Sequence, residues 1–178
     1  IFYLFGVNWQ TYVLHASLFN GILTISLFFL FKHFGLKLEN NFFFCICFAV
    51  LAYPSSGTPF VDHHSTFFSM FAVILTFFAL DTNRLIYWFF VPVLLAMSFL
   101  SKPVPAVYVI TIILIITFLY ILIFKNYKAI IYVLLGSSFS MIIFFLILKV
   151  TNTEFYDFWE QYVQYSQTIG LQRFNNLN

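Results

Sequence analysis

Long apolar runs, broken by short polar stretches, dominate the chain. Six can be drawn, over residues 11–31, 42–53, 66–80, 85–100, 104–124 and 129–148. A helix that crosses a bilayer needs about 20 apolar residues, within a range of about 17–25. The first, fifth and sixth runs meet this directly. The second and third are short, and they flank the polar stretch SSGTPFVDHHS at 55–65. Short spans beside a Gly/Pro-containing break can mark helices interrupted at membrane depth. A simpler reading lets both helices extend into their flanks. Leu36 and Leu38 would lengthen the second, with Lys37 snorkelling. Thr58 and Pro59 would start the third early, as N-cap and first helical residue, placing Asp62 in its first turn, where the helix dipole favours an anion.

The last stretch differs in kind. From Thr151 it reads TNTEFYDFWEQYVQYSQTIGLQRF. Phe155, Phe158, Trp159, Tyr162 and Ile169 recur at helical spacing, with Asp157, Glu160, Gln161, Gln164 and Gln167 between them. This pattern predicts an amphipathic interfacial helix capped by Asn152 or Thr153, with Glu154 and Asp157 in its first turn. Its Tyr and Trp suit the membrane interface. Its polar face lacks the basic residues of an anionic-lipid binder. The expected fold is therefore an all-α polytopic transmembrane bundle of about six spans over residues 1–150, followed by an outer-face amphipathic segment over 151–178.

Composition demands the same solvent. Of 178 residues, 62% are hydrophobic, 24% aromatic and only 8% charged, whereas soluble domains carry about 25% charged residues. Such a chain cannot cover a water-facing surface. The lipid bilayer is its expected partner. The net charge of +2 and the lack of any basic run point away from nucleic acid. Cys45 and Cys47, in FFFCICF, fall on different faces of a helix and read as small apolar residues. The opening IFYLFGVNWQ has neither an initiator Met nor the basic start of a signal peptide, and the chain reads as a fragment of a longer polytopic protein.

Lys and Arg set the expected orientation. With residues 32–41 cytoplasmic, the inside holds Lys32, Lys37, Arg84, Lys125 and Lys128. The outside holds Lys102, Lys149 and Arg173. This asymmetry follows the positive-inside rule. It puts Asp62, His63, His64, Lys102 and the tail on the outer face of a cell membrane, the periplasmic face of an inner membrane if the source is a Gram-negative bacterium.

Ionisable groups are costly near hydrocarbon, so Asp62, His63 and His64 are the leading functional candidates. His and carboxylate suit a divalent metal ion. Successive helical residues sit about 100° apart, however, so three in a row do not face one ion together. Acid–base or substrate hydrogen bonding is a second role. A purely structural role, with Asp62 at a helix start and the histidines at the headgroups, is a third. Lys102 lies in FLSKPVPAVYV, where Pro103 and Pro105 forbid a regular helix and push the residues before them toward extended geometry. A fixed Lys at the rim is a natural phosphate ligand, and a snorkelling Lys is the plainer alternative. Glu160 and Arg173 in the tail are further contacts for an anionic or hydroxylated ligand. His15 reads as a helix-packing hydrogen bonder, and His33 as part of a solvated loop. No Walker A, GxSxG, HExxH or dinucleotide fingerprint is present.

The order of these features resembles the GT-C membrane glycosyltransferases, which include the protein mannosyltransferases and the aminoarabinose transferases. SSGTPFVDHHS is similar to that family's second outer-loop region, with Asp62 at its acidic position. FLSKPVPAVYV is similar to the family's L-T-K-G-P stretch, with Lys102 at its Lys and Pro103 where the family has Gly. The resemblance implies transfer of a hexose or pentose from a polyprenyl-phosphate donor to an acceptor hydroxyl at the outer face. It implies a donor- or metal-proximal role for Asp62, His63 and His64, and a phosphate-binding role for Lys102, with or without a divalent metal ion. The family's catalytic acidic residue belongs to a first outer loop, expected upstream of Ile1. Two other readings compete. A transporter or channel predicts polar residues deep in several spans. A non-catalytic membrane scaffold predicts that Asp62, His63, His64 and Lys102 do not converge.

Overall fold

The computed structural model describes residues 1–53 and 61–168. The predicted cap at Thr58 and Pro59, together with Ile169 and Arg173 in the tail, lies outside the described residues. A short α1 (Phe2–Phe5) leads into α2 (Trp9–His33). Then follow α3 (Leu38–Leu51), α4 (Val61–Thr82), α5 (Leu85–Ser101), α6 (Pro103–Phe124) and α7 (Tyr127–Val150). The tail folds as α8 (Phe155–Phe158), which runs into a π-helical stretch, Trp159–Gln164. No strand occurs among the described residues.

Local chemistry sets the ends of these helices. The Asn8 side chain caps α2 by accepting the Thr11 N–H at 2.9 Å, which satisfies a donor with no partner inside the helix. The same helix stops at Gly35, whose φ of 76° is left-handed and suits a residue without Cβ. Asn83, Lys125 and Asn152 take up the same region after α4, α6 and α7.

Six helices coincide with the six apolar runs, yet among the described residues four of them are long and apolar enough to cross a membrane: α2, α4, α6 and α7. This corrects the expectation of about six spans. α3 has 14 residues and α5 has 17. At 1.5 Å per residue they rise about 21 and about 26 Å, short of the about 30 Å hydrocarbon core. The third run, by contrast, grows into a helix of 22 residues that carries Asp62 in its first turn. In α6 and α7 only 11% of the most apolar window is buried within the protein. Such helices need lipid around them, and the fold is that of a membrane protein.

The helices pack around an α4–α5 pair, the most closely associated in the bundle, with α2 beside α4, α3 beside α2, α6 against both members of the pair and α7 beside α5. Leu23, Leu27, Cys45, Phe67 and Ile74 join α2, α3 and α4. Ala72, Val91, Leu95 and Ile113 join α4, α5 and α6. Ala79, Trp88 and Ala129 join α4, α5 and α7. Side-chain amides add polar links across α2 and α3. Asn20 donates to the Ala49 carbonyl at 2.7 Å, and Asn41 to the Phe28 carbonyl at 3.0 Å. Such bonds matter because lipid gives apolar helix faces little reason to associate.

The tail departs from its predicted start. Its N-cap is Glu154, not Asn152 or Thr153. Asn152 is taken up in closing α7, where the Thr153 N–H bonds the Leu148 carbonyl at 3.0 Å. The tail then folds back on the bundle. Tyr162 donates its hydroxyl to the Phe99 carbonyl at 2.7 Å, and burial pushes its phenol up to about 12, so it remains a neutral donor at ordinary pH.

The α5–α7 contact depends on Gly136. A Cβ there would lie 2.1 Å from the Phe89 carbonyl oxygen and 2.8 Å from the Pro92 ring. Backbone cannot move aside as a flexible side chain would, so Gly136→Ala forces the helices apart. We expect a loss of about 1–3 kcal/mol, the usual cost of overpacking, read from reversible unfolding in mixed micelles.

Candidate functional site

Short connections make the bundle alternate in direction, and that decides which polar residues meet. Only Asn83 and Arg84 separate α4 from α5, so the end of α5 returns to the start of α4. Lys102 is the residue between α5 and α6, with φ −160° and ψ 128°. The extended geometry is what a residue before proline prefers. Its ammonium forms an ion pair with the Asp62 carboxylate. Two residues forty positions apart in sequence are thereby joined, as a shared site requires.

The pair is open to solvent, with side-chain exposures of 42% for Lys102 and 56% for Asp62. Exposed pairs contribute only about 0–1 kcal/mol. The pair therefore adds little to the stability of the fold.

A second contact at the same end joins α2 to α4. The Nε2 atoms of His15 and His64 lie 2.7 Å apart. His15 also has a buried Nδ1 with no hydrogen-bond partner. A bare lone pair there costs less than a buried N–H without an acceptor. We therefore assign the His15 proton to Nε2, donating to His64, whose own proton then sits on Nδ1. Phe19 packs against both imidazoles, with ring centroids 4.8 Å from His15 and 5.3 Å from His64. His63 is half-buried on the same turn of α4. Asp62 and His64 thus face different neighbours, as their helical spacing requires. No group of three or more His, Cys, Asp or Glu side chains able to hold a metal ion occurs among the described residues.

Of the two tail candidates, Glu160 is exposed on the π-helical stretch. Arg173 lies beyond the described residues. His33 corrects its reading as a loop residue. It ends α2 and bonds Asp81 at 2.6 Å, at the opposite end of the bundle from Lys102.

Sequence reasoning missed three serines. Ser65, Ser69 and Ser98 are buried at the α4–α5 seam, just beneath the ion pair. The i, i+4 spacing of Ser65 and Ser69 was the available signal, since it puts two small polar residues on one helix face. An apolar groove of about 510 Å³ also opens beside α5, between Pro92, Phe99, Leu114, Phe144 and the tail residues Phe158 and Trp159. Ser137 and Ser140 border it, but their hydroxyls bond the Val133 and Gly136 carbonyls. The groove wall is therefore suited to hydrocarbon.

Comparison with known protein families, with curated proteins and with solved structures finds no match to this chain. The functional argument rests on the geometry of this end of the bundle.

If His15 and His64 share one proton across two helices, their substitutions are coupled. In a double-mutant cycle with His15→Leu and His64→Leu, unfolding in micelles should give a coupling of about 0.6 kcal/mol, with about 1.7 as an upper bound for such bonds between membrane helices. Strict additivity would show that the two rings do not bond.

Proposed function

We propose that the chain is part of a GT-C type membrane glycosyltransferase, and that Asp62 and Lys102 lie at its binding site for a lipid-linked sugar phosphate. The observation that carries this reading is the Asp62–Lys102 ion pair. A scaffold has no need to join these residues, whereas a phosphate site needs a fixed cation at the rim. Lys102 would take the phosphate, and Asp62 would orient the ammonium and contact the sugar. The apolar groove beside Phe99, close to Lys102 along the chain, suits the prenyl tail. The excess of Lys and Arg at the opposite end of the bundle would set this end on the outer face, the periplasmic face in a Gram-negative bacterium.

The reaction would move a hexosyl or pentosyl group from the carrier phosphate to an acceptor hydroxyl. The departing oxygen keeps its electron pair as part of the carrier phosphate, and Lys102 offsets the charge that develops there. The acceptor proton would pass to a carboxylate acting as base, the role that the resemblance gives to an acidic residue of the family's first outer loop. A divalent metal, if the enzyme uses one, would need a donor beyond Asp62 and His64, because these side chains turn toward different neighbours.

A transporter is less well supported. Several polar side chains of the bundle bond backbone carbonyls, Asn20 to Ala49, Asn41 to Phe28 and Thr76 to Ala72, and His15, Ser65, Ser69 and Ser98 are engaged across helix seams.

The test is binding of a short-chain prenyl phosphate to the protein in nanodiscs. Lys102→Ala should weaken binding by about 10- to 100-fold, the range for a hydrogen bond to a charged group. The matching prenyl alcohol should bind weakly to both proteins. Equal affinity of wild type and variant for the phosphate would refute the assignment.

A further inference from the structure

The Lys102 ammonium can serve a phosphate only if its backbone is held still, and Lys102 occupies the one break between α5 and α6. Both of its backbone polar groups are taken. Its N–H donates to the Ser98 carbonyl at 3.1 Å. Its carbonyl accepts the Ser65 hydroxyl at 3.1 Å. The second bond is the unusual one, because it ties the break to a different helix, α4.

The remaining hydroxyls lock this arrangement. Ser98 donates to the Ser65 carbonyl at 2.7 Å, and Ser69 lies 2.7 Å from the Ser98 oxygen. Each hydroxyl has one proton. With the Ser98 proton on the Ser65 carbonyl and the Ser65 proton on the Lys102 carbonyl, Ser69 must be the donor to Ser98. This arrangement satisfies these three bonds and leaves the Ser65 and Ser98 hydroxyl oxygens, 3.2 Å apart, with no proton between them. Ser65 and Ser98 are fully buried and Ser69 nearly so, so water does not compete for these groups. Ser65 lies one helical turn below Asp62. α4 therefore grips Lys102 twice, by its carbonyl through Ser65 and by its ammonium through Asp62.

We propose that Ser65 is a positioning residue, which fixes the Lys102 backbone so that its ammonium is presented at the Asp62 carboxylate and to the phosphate of the substrate. The role in binding rests on the glycosyltransferase reading; the positioning itself does not. Serines between membrane helices also act as plain adhesive. Ser69 separates the two roles, since it bonds the seam without touching Lys102.

The test measures the reactivity of Lys102 toward a water-soluble acetylating ester, with the protein in nanodiscs and Lys125 as the internal reference in mass spectrometry. Breaking the grip frees the ammonium from Asp62. Ser65→Ala should speed acetylation of Lys102 on the order of fivefold, the population change commanded by one buried hydrogen bond. Asp62→Asn should do the same, and the double variant should exceed Asp62→Asn by little, since Ser65 acts through the pair. Ser69→Ala should lower stability and leave the Lys102 rate unchanged. If S65A does not accumulate, S65C is measured in its place, with the same expected acceleration, because a thiol is a weak donor to the Lys102 carbonyl. An unchanged rate in the variant measured, or an equal rise in S69A, would overturn the proposal. Prenyl phosphate binding is read separately on the same proteins. Acceleration in S65A with no binding by wild type would leave the positioning role intact and remove the substrate assignment.

Discussion

The seam between α4 and α5 is the constraint on which the rest of the structure depends. Lipid gives apolar faces no strong reason to leave it, so membrane helices need close packing and interhelical hydrogen bonds to choose partners. Here the choice is made by Ser65, Ser69 and Ser98, which bond across the seam at the Lys102 end. The remaining helices attach to this pair. α7 reaches α5 through the Cβ-free surface of Gly136, and α2 reaches α4 through the His15–His64 bond. The register of one helix pair thus decides which ionisable groups share an end of the bundle.

The same register converts inexpensive residues into a site. Asp62 and Lys102 are exposed and contribute little to stability as a pair. In the proposed account their geometry is set by buried Ser65, which ties the carbonyl of the helix break at Lys102 to a neighbouring helix. Beside this rigid rim lies a hydrocarbon-lined groove partly walled by the tail. A charged rim next to an apolar groove matches the two ends of an amphiphilic phosphate, which is the basis of the proposed substrate class.

Much of this was legible in sequence where the cause is local. Apolar runs gave the positions of six helices, and proline stereochemistry gave the extended backbone at Lys102 and at Val104. Helix periodicity separated Asp62 from His64. Span number was harder, because run boundaries do not say whether α3 continues through its flanks; it stops at Leu51. The tail start was misjudged because Asn152 serves the end of α7 instead of capping the next helix. Contacts between distant residues were the least legible. His33 finds Asp81 and His15 finds His64 only because α2 and α4 run parallel with α3 returning between them. The serines were passed over as small residues in apolar runs, since their role exists only once α5 lies against α4. The proposed substrate-binding roles rest on resemblance at Asp62 and Lys102 together with their convergence.

The most direct measurement is disulfide formation across the seam in native membranes. Cys45 and Cys47 are first replaced by Ala, and Ser65→Cys is combined with Ser98→Cys. The native hydroxyl oxygens lie 3.2 Å apart, so a membrane-permeant oxidant should join the two cysteines rapidly, as read by mass spectrometry of the linked peptides. Ser65→Cys combined with Tyr87→Cys, at the far end of α5, should not cross-link. Equal rates for the two pairs would contradict the α4–α5 register, and with it the shared Asp62–Lys102 site.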